Sequence, residues 1–196
     1  AVSSSVYLKR KHNDPNKLII EVNGILEDLQ FKEDSSNRFE EALKNIARYL
    51  GFISQRPEIE YNKGPDVLWK IGNLNFFVIE CKNEATVTTI EKDYCNQLNG
   101  SCNWFEEKYD HTCSYAPIMI HPSFVFENAA SPHSRARIIT KEKLAKFCSS
   151  VRDFIKAVSS NNELGNPESI RQKLIAYRLR ADDLIDNYTI SYKVKN

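Results

Sequence analysis

Apolar positions between Val6 and Phe31 fall at Leu18, Ile19, Val22, Ile25, Leu26 and Leu29, after a breaker at Asp14-Pro15. That spacing puts one stripe on a helix, so residues 1–34 read as a helical lead-in. Asp34-Ser35-Ser36-Asn37 is a loop and cap signal. The run RFEEALKNIARYLGF then places Phe39, Ala42, Leu43, Ile46, Ala47 and Leu50 on one helical face, with Gly51 as its stop. The period next changes. Glu58–Asn62, Asp66–Ile71 and Asn75–Cys81 read as short strands, and Gly72-Asn73 between the last two suits a tight antiparallel turn.

Beyond them, Thr89–Tyr109 reads as a helix interrupted near Asn99-Gly100, and Tyr115–His121 as a buried strand by its continuous apolar character. Arg135–Thr140 is a candidate further strand. Lys141–Ser159 and Pro167–Asp186 are amphipathic helices, and the terminal TISYKV alternates weakly, like a strand. Helix, hairpin-linked strands, helix and strand make a mixed α/β domain. Residues 35–160 are expected to form its core, and 161–196 a C-terminal helix and tail packed on the core or on a partner domain.

Composition narrows the function classes. The chain of 196 residues is 41% hydrophobic and 11% aromatic, which argues for a globular domain and against wholesale disorder. Its 27 basic and 26 acidic residues leave a net charge of +1. Such a chain does not coat polyanions indiscriminately, so nucleic-acid contact must come from local patches or a partner. Cysteines stand at 81, 95, 102, 113 and 148, without a CxxC pair. Cys95, Cys102, His111 and Cys113 could be imagined around zinc, but their spacing matches no standard site, and reduced thiols in a cytoplasmic protein are the simpler reading. No apolar run reaches the ~20 residues of a membrane helix, and no signal peptide is expected. The sequence opens on Ala rather than Met, as a processed chain or a fragment of a longer protein would.

The chemistry concentrates in GPDVLWKIGNLNFFVIECKNE, Gly64 to Glu84. Side chains alternate along a strand, so Glu80 and Lys82 share one face while Ile79 and Cys81 share the other. If Gly72-Asn73 turns the hairpin, Asp66 lies opposite Glu80, because the two positions are symmetric about residue 73. Two carboxylates and an ammonium then converge at one end of the sheet. Adjacent carboxylates repel unless a cation lies between them, and oxygen ligands suit Mg²⁺. A surface Glu80–Lys82 ion pair and an Asp66 turn cap are the bland alternative. Against it stands the apolar FFVI run, which makes an acid and a lysine at its end expensive unless they are used.

GPD, then strand–turn–strand, then IECK resembles the signature of the PD-(D/E)XK nucleases, and most closely their Mrr-type, restriction-endonuclease-like domains, over roughly Arg38 to Thr140. The resemblance implies a restriction-endonuclease-like core of αβββαβ order on a mixed central sheet. It implies Mg²⁺- or Mn²⁺-dependent phosphodiester hydrolysis, with Asp66, Glu80 and the Cys81 backbone carbonyl on the metal and Lys82 orienting the attacking water. The family's early Phe-Glu is matched by Phe39-Glu40, making Glu40 the candidate for a second metal position; a solvent-facing first-turn glutamate is the alternative. Gln97, ahead of Asn96, is the candidate for the helical glutamine near the lysine. Where relatives continue Gln-x-x-x-Tyr, this chain has Ser101, a departure from the RecB-like branch.

Four further residues are candidates for nucleic-acid contact: His133, Arg135 and Arg137 on the loop ENAASPHSRARI, with Asn99 beside the helical glycine. Trp104, Phe105 and Tyr109 could stack on bases but read first as core. The expected activity is DNA cleavage as part of a defence or repair system. Target choice would lie with a helicase, ATPase or recognition partner, and a homodimer would suit double-strand cutting. A catalytically silent module of the same fold, binding nucleic acid or acting as a scaffold, is the rival reading. A carboxylate-pair glycosidase is a more distant one, since it has no evident use for Lys82.

Overall fold

Alternation along one strand sets out the layers. Phe77, Ile79 and Cys81 belong to one buried cluster, while Phe76 and Val78 belong to another on the opposite face. The computed structural model, which describes residues 1–109, 111–160 and 163–195, arranges sixteen elements around that strand. They begin α1 (Val2–Lys11), α2 (Pro15–Glu27), α3 (Ser36–Tyr49), β1 (Ile53–Gln55), α4 (Pro57–Tyr61), β2 (Val67–Lys70), β3 (Asn75–Cys81) and α5 (Lys92–Tyr109). The chain continues β4 (Ser114–Ile120), β5 (Val125–Phe126), β6 (Arg137–Ile139), α6 (Lys141–Ser160), α7 (Pro167–Ala176), α8 (Ala181–Tyr188), β7 (Ile190–Ser191) and β8 (Lys193–Val194).

The fold is α/β, with a mixed central sheet of order β1-β2-β3-β4-β6-β7 flanked by helices. β1, β2 and β3 form an antiparallel meander, whereas β3–β4 and β4–β6 pair in parallel. α5 supplies the crossover that a parallel β3–β4 pair requires. It packs on the Phe76–Val78 face, where Phe105, Leu98 and Cys102 meet Met119 and Tyr115 from β4. The lead-in helices and α3, α6, α7 and α8 cover the other face, and α1 and α2 both contact α3, so residues 1–34 contribute to the main core. The expected boundary at residue 161 lies outside the described residues.

The expected stripe of α3 is fully buried. Its N-terminus is capped from a distance: Glu84 Oε1 accepts from the Ser35 and Ser36 N–H groups, both at 2.8 Å, and Asn83 Nδ2 donates to Ser35 Oγ at 2.9 Å. An acid at a helix start satisfies orphan donors and favours the dipole. The segment just past β3 thus locks α3 in place beside it. At the other end of α3, Gly51 has φ +84°, the left-handed stop that glycine adopts without strain.

Four expectations are corrected. Glu58–Asn62 is not a strand. Pro57 sits at the first turn of α4 with Glu58 and Glu60 behind it, a start that favours helix, and the meander's first strand is instead Ile53–Gln55. The α5 helix runs through Asn99-Gly100 without interruption, the cost of one glycine in a helix interior being only about 1 kcal/mol. Pro167–Asp186 is two helices, broken at Tyr177–Arg180, where Arg178 takes φ +57°. The weak terminal strand also divides, β7 pairing with β6 and β8 with β5 in a separate two-stranded sheet.

Candidate active site

The β2–β3 register pairs Val67 with Ile79 and Leu68 with Val78, so Asp66, one residue before β2, comes level with Glu80. Pro65 fixes the approach to this position, and Asp66 Oδ2 accepts a hydrogen bond from the Cys81 N–H at 2.6 Å. Cys81 stands beyond the last β2–β3 pair, and the Asp66 carboxylate takes up the donor that the ladder leaves there. Glu80 and Lys82 project from the α5 face of β3. Lys82 Nζ lies 3.2 Å from Glu80 Oε2 and 3.8 Å from Asp66 Oδ2. The carboxyls are sunk, Asp66 7% and Glu80 4% exposed.

α5 closes the other wall. Gln97, Gly100 and Ser101 fall on one helical face, three and four residues apart, and all line the cavity of about 390 Å³ that holds Asp66, Glu80 and Lys82. Ser101 Oγ donates to Glu80 Oε1 at 2.7 Å. Gly64 and Glu58 complete the lining from the α4–β2 segment. Glu58 was missed by the sequence reading because a strand was expected there. Pro57 followed by acids was the signal of a helix start that would turn Glu58 toward Asp66.

Electrostatics follow from this crowding. Burial, then the Asp66 charge, push the Glu80 carboxyl up to about 7, against the opposing pull of Lys82 and Ser101. Glu58 is raised by its hydrogen bond with Asp66, then by burial and the Asp66 charge. Burial works against the Lys82 ammonium, but Glu80 and Asp66 outweigh it and hold its pKa above the usual value. The ring of Tyr94 lies 5.5 Å from Nζ. His121, at the end of β4, is buried and pushed down to about 4, by burial first and with a contribution from Lys82. Its Nδ1 accepts from Ser123 N–H at 2.9 Å, and its Nε2 has no partner among the described residues.

Glu40 is adjacent to this group without lining the cavity. Burial and the Asp66 charge raise its pKa, while Arg56, 5% exposed, forms an ion pair with it. The same guanidinium takes Asn37 Oδ1 at 2.8 Å and approaches Glu41 at 3.5 Å. Arg56 therefore ties the first turns of α3 to the end of β1, a role with no signature in the sequence.

The four nucleic-acid candidates lie outside the cavity lining. Asn99 Nδ2 donates to the Ser131 carbonyl at 3.0 Å, fastening α5 to the loop before β6. His133 Nε2 is 3.4 Å from the Tyr115 hydroxyl, and the Arg135 guanidinium lies 5.0 Å from the Tyr115 ring centre. Arg137 joins β6 to the C-terminal strand by donating to Thr189 Oγ1 at 2.9 Å and Ser191 Oγ at 2.5 Å. The Cys81 side chain points into the core, where burial raises its thiol pKa well above the usual value. The imagined zinc group does not assemble among the described residues: Cys95 and Cys102 are buried against the sheet while His111 is exposed.

Whether the cavity suits a cation is decided by its donors. No three metal-ligating side chains among the described residues stand ready-spaced for an ion. Yet Glu80 and Glu58 are raised in part by the same neighbour, Asp66, and among the described residues the one cation lining the cavity is Lys82. Oxygen donors under that mutual repulsion are the chemistry that a hard divalent cation relieves. Comparison with family models, with curated proteins and with solved structures finds no match to the chain. No described helix is long and apolar enough to cross a membrane.

Proposed function

We propose that the chain is a metal-dependent nuclease that hydrolyses phosphodiester bonds of DNA on a restriction-endonuclease-like core. One observation carries the reading: Asp66, Glu80 and Lys82 converge within 3.8 Å at the end of the β2–β3 hairpin, in a cavity opened to solvent beside α5. The order α3, β1, β2, β3, α5, β4 supports it, α4 being an insertion between the first two strands.

In this reading Asp66, Glu80 and the Cys81 carbonyl would hold Mg²⁺ or Mn²⁺, which when bound polarises a phosphate and acidifies its water. The protein's own groups do the rest. Lys82, kept protonated by its two acids, orients the attacking water and offsets phosphate charge. Ser101 holds one oxygen of Glu80 so that the other faces the cavity. Gln97, on the same face of α5, is placed to contact the phosphate or its water. Glu58 replaces Glu40 as the nearest supporting carboxylate, and Glu40, neutralised by Arg56, acts through the position of α3. Arg135, with His133 beside it, remains a candidate contact to the DNA backbone from the loop before β6. A net charge of +1 is consistent with target choice resting on a partner such as a helicase or ATPase, and double-strand cutting with a homodimer.

The test is supercoiled plasmid incubated with Mg²⁺ or Mn²⁺, beside Lys82→Ala and an EDTA control. Metal-dependent nicking that disappears in Lys82→Ala is expected. Absence of cleavage together with absence of any metal binding dependent on Asp66 would overturn the catalytic reading in favour of a silent module of the same architecture.

A further inference from the structure

The carboxylate cavity shares a wall with a second one. Gly64 lines the first, and a β-carbon built on it would stand 2.8 Å from Trp104 Cδ2, so the indole packs directly against that glycine. Trp104 in turn lines, with Tyr61 and Tyr109, a cavity of about 480 Å³ completed by Gln55, Lys63 and Lys108. That size is in the range of small-ligand sites.

Its walls are unusual in being aromatic without aliphatic neighbours. Of the run Trp104, Phe105 and Tyr109, only Phe105 is fully committed to the core. Tyr109 stacks on Phe105 at 4.4 Å between ring centres, which anchors one wall rigidly. Tyr61 ends α4 with 54% of its surface exposed, too open for a packing residue. The indole N–H of Trp104 is buried and has no partner among the described residues. Among the described residues the lining set carries two lysines and no carboxylate. Fixed aromatic faces with ammonium groups at the rim match one ligand chemistry: a planar base for the rings and a phosphate for the lysines.

We propose that this cavity is a stacking subsite for unstacked bases of a single-stranded nucleic acid whose backbone continues past Gly64 into the Asp66–Glu80 pocket. The continuation rests on the nuclease reading; the stacking does not. Stacking is sequence-tolerant because every base has a π-face, so the subsite selects single strands over duplex without choosing among bases.

Fluorescence anisotropy in EDTA, where no cleavage can occur, tests it with labelled oligothymidylate, the same strand with abasic positions, a duplex of equal length, and oligouridylate. The base-bearing strand binds more tightly than the abasic strand or the duplex. Tyr61→Ala, at an exposed position that leaves the fold intact, weakens it about 5- to 100-fold toward the abasic value, whereas Tyr61→Phe retains it. Replacing Lys63 and Lys108 with Gln flattens the salt dependence. Equal binding of thymidylate and uridylate assigns the site to single strands of either sugar, and a preference for one assigns it to DNA or RNA. Equal binding of base-bearing and abasic strands, an unchanged affinity in Tyr61→Ala, or a preference for duplex overturns the subsite. The plasmid assay separates the two ideas. Base discrimination with neither nicking nor Asp66-dependent metal binding keeps the subsite and removes the nuclease, and nicking without base discrimination does the reverse.

Discussion

Ser101 Oγ on α5 donates to Glu80 Oε1 on β3 across 2.7 Å. α5 lies close enough to β3 for the short serine side chain to reach the carboxylate. Ser101→Ala leaves a buried carboxylate oxygen unpaired, and the expected loss is about 1–3 kcal/mol of stability in chemical denaturation. Under the nuclease reading it also lowers cleavage rate more than DNA affinity, since it disturbs Glu80 rather than a contact to nucleic acid. A variant as stable as the parent to within about 0.5 kcal/mol would show that Glu80 is not held by this bond.

Glu80 also makes stability depend on pH. Its folded pKa of about 7 lies above the ordinary value of 4.5, so the folded state binds the extra proton between these limits. The stability Glu80 contributes is complete below the lower value and is lost as pH rises through the upper one. His121, pushed from 6.5 to about 4, acts in the opposite sense, losing stability as pH falls below its ordinary value. Comparing wild type with Glu80→Gln in EDTA cancels His121. The variant should gain on the wild type from pH 5 to 8, by on the order of 2–3 kcal/mol. Under the nuclease reading, Mg²⁺ should narrow the gap at pH 8, by selectively stabilising the wild type. Parallel stability curves would refute the assignment of Glu80 as the raised carboxyl.

The parts of the site legible in the sequence were those set by local periodicity. Residues 66 and 80 are symmetric about the turn, and alternation puts Glu80 with Lys82, so one tight turn suffices to bring all three together. Arg56 was not legible, because it follows a three-residue strand too short to carry a period, and Glu58 was marked only by the Pro57 helix start of a five-residue helix. The break at Tyr177–Arg180 was hidden for a related reason: Arg178 adopts the left-handed region without a glycine or proline to mark it. Trp104, Phe105 and Tyr109 read first as core, and all three pack in the cluster beneath α5, Phe105 fully buried and the other two partly. Tyr61, which gives the aromatic cavity its open side, comes from an element forty residues away and shares no pattern with them.

Arg56 should behave as a buried tie. Its guanidinium, 7% exposed at the side chain, faces Glu40, which is 12% exposed. Removing one member of such a pair strands the other's charge, so Arg56→Met should destabilise by about 3–5 kcal/mol. Replacing Glu40 with Gln in the same chain should recover a large part of that loss. Glu40→Gln alone separates two roles: a metal-bearing glutamate would reduce divalent affinity in calorimetry, whereas a positioning glutamate would leave it unchanged and lower only the melting temperature. The ion pair with Arg56 favours the second outcome.

Gly64 stands between the two cavities, and its substitution is strained twice over. Its φ of +100° lies where an L side chain is disfavoured, and the added β-carbon would stand 2.8 Å and 2.9 Å from two atoms of the Trp104 ring. The combined cost of Gly64→Ala is about 2–4 kcal/mol, backbone strain and overpacking contributing comparably. The displaced ring reports itself: with only two tryptophans in the chain and Trp69 buried in the core, a red shift in emission on substitution belongs to Trp104. Trp104→Phe, a smaller ring, relieves the overpacking but not the backbone strain. The double variant should therefore be more stable than the sum of the single effects implies, by about 1 kcal/mol or more. Strict additivity would mean that Gly64 is kept for its backbone conformation alone, and that the wall between the cavities tolerates a side chain.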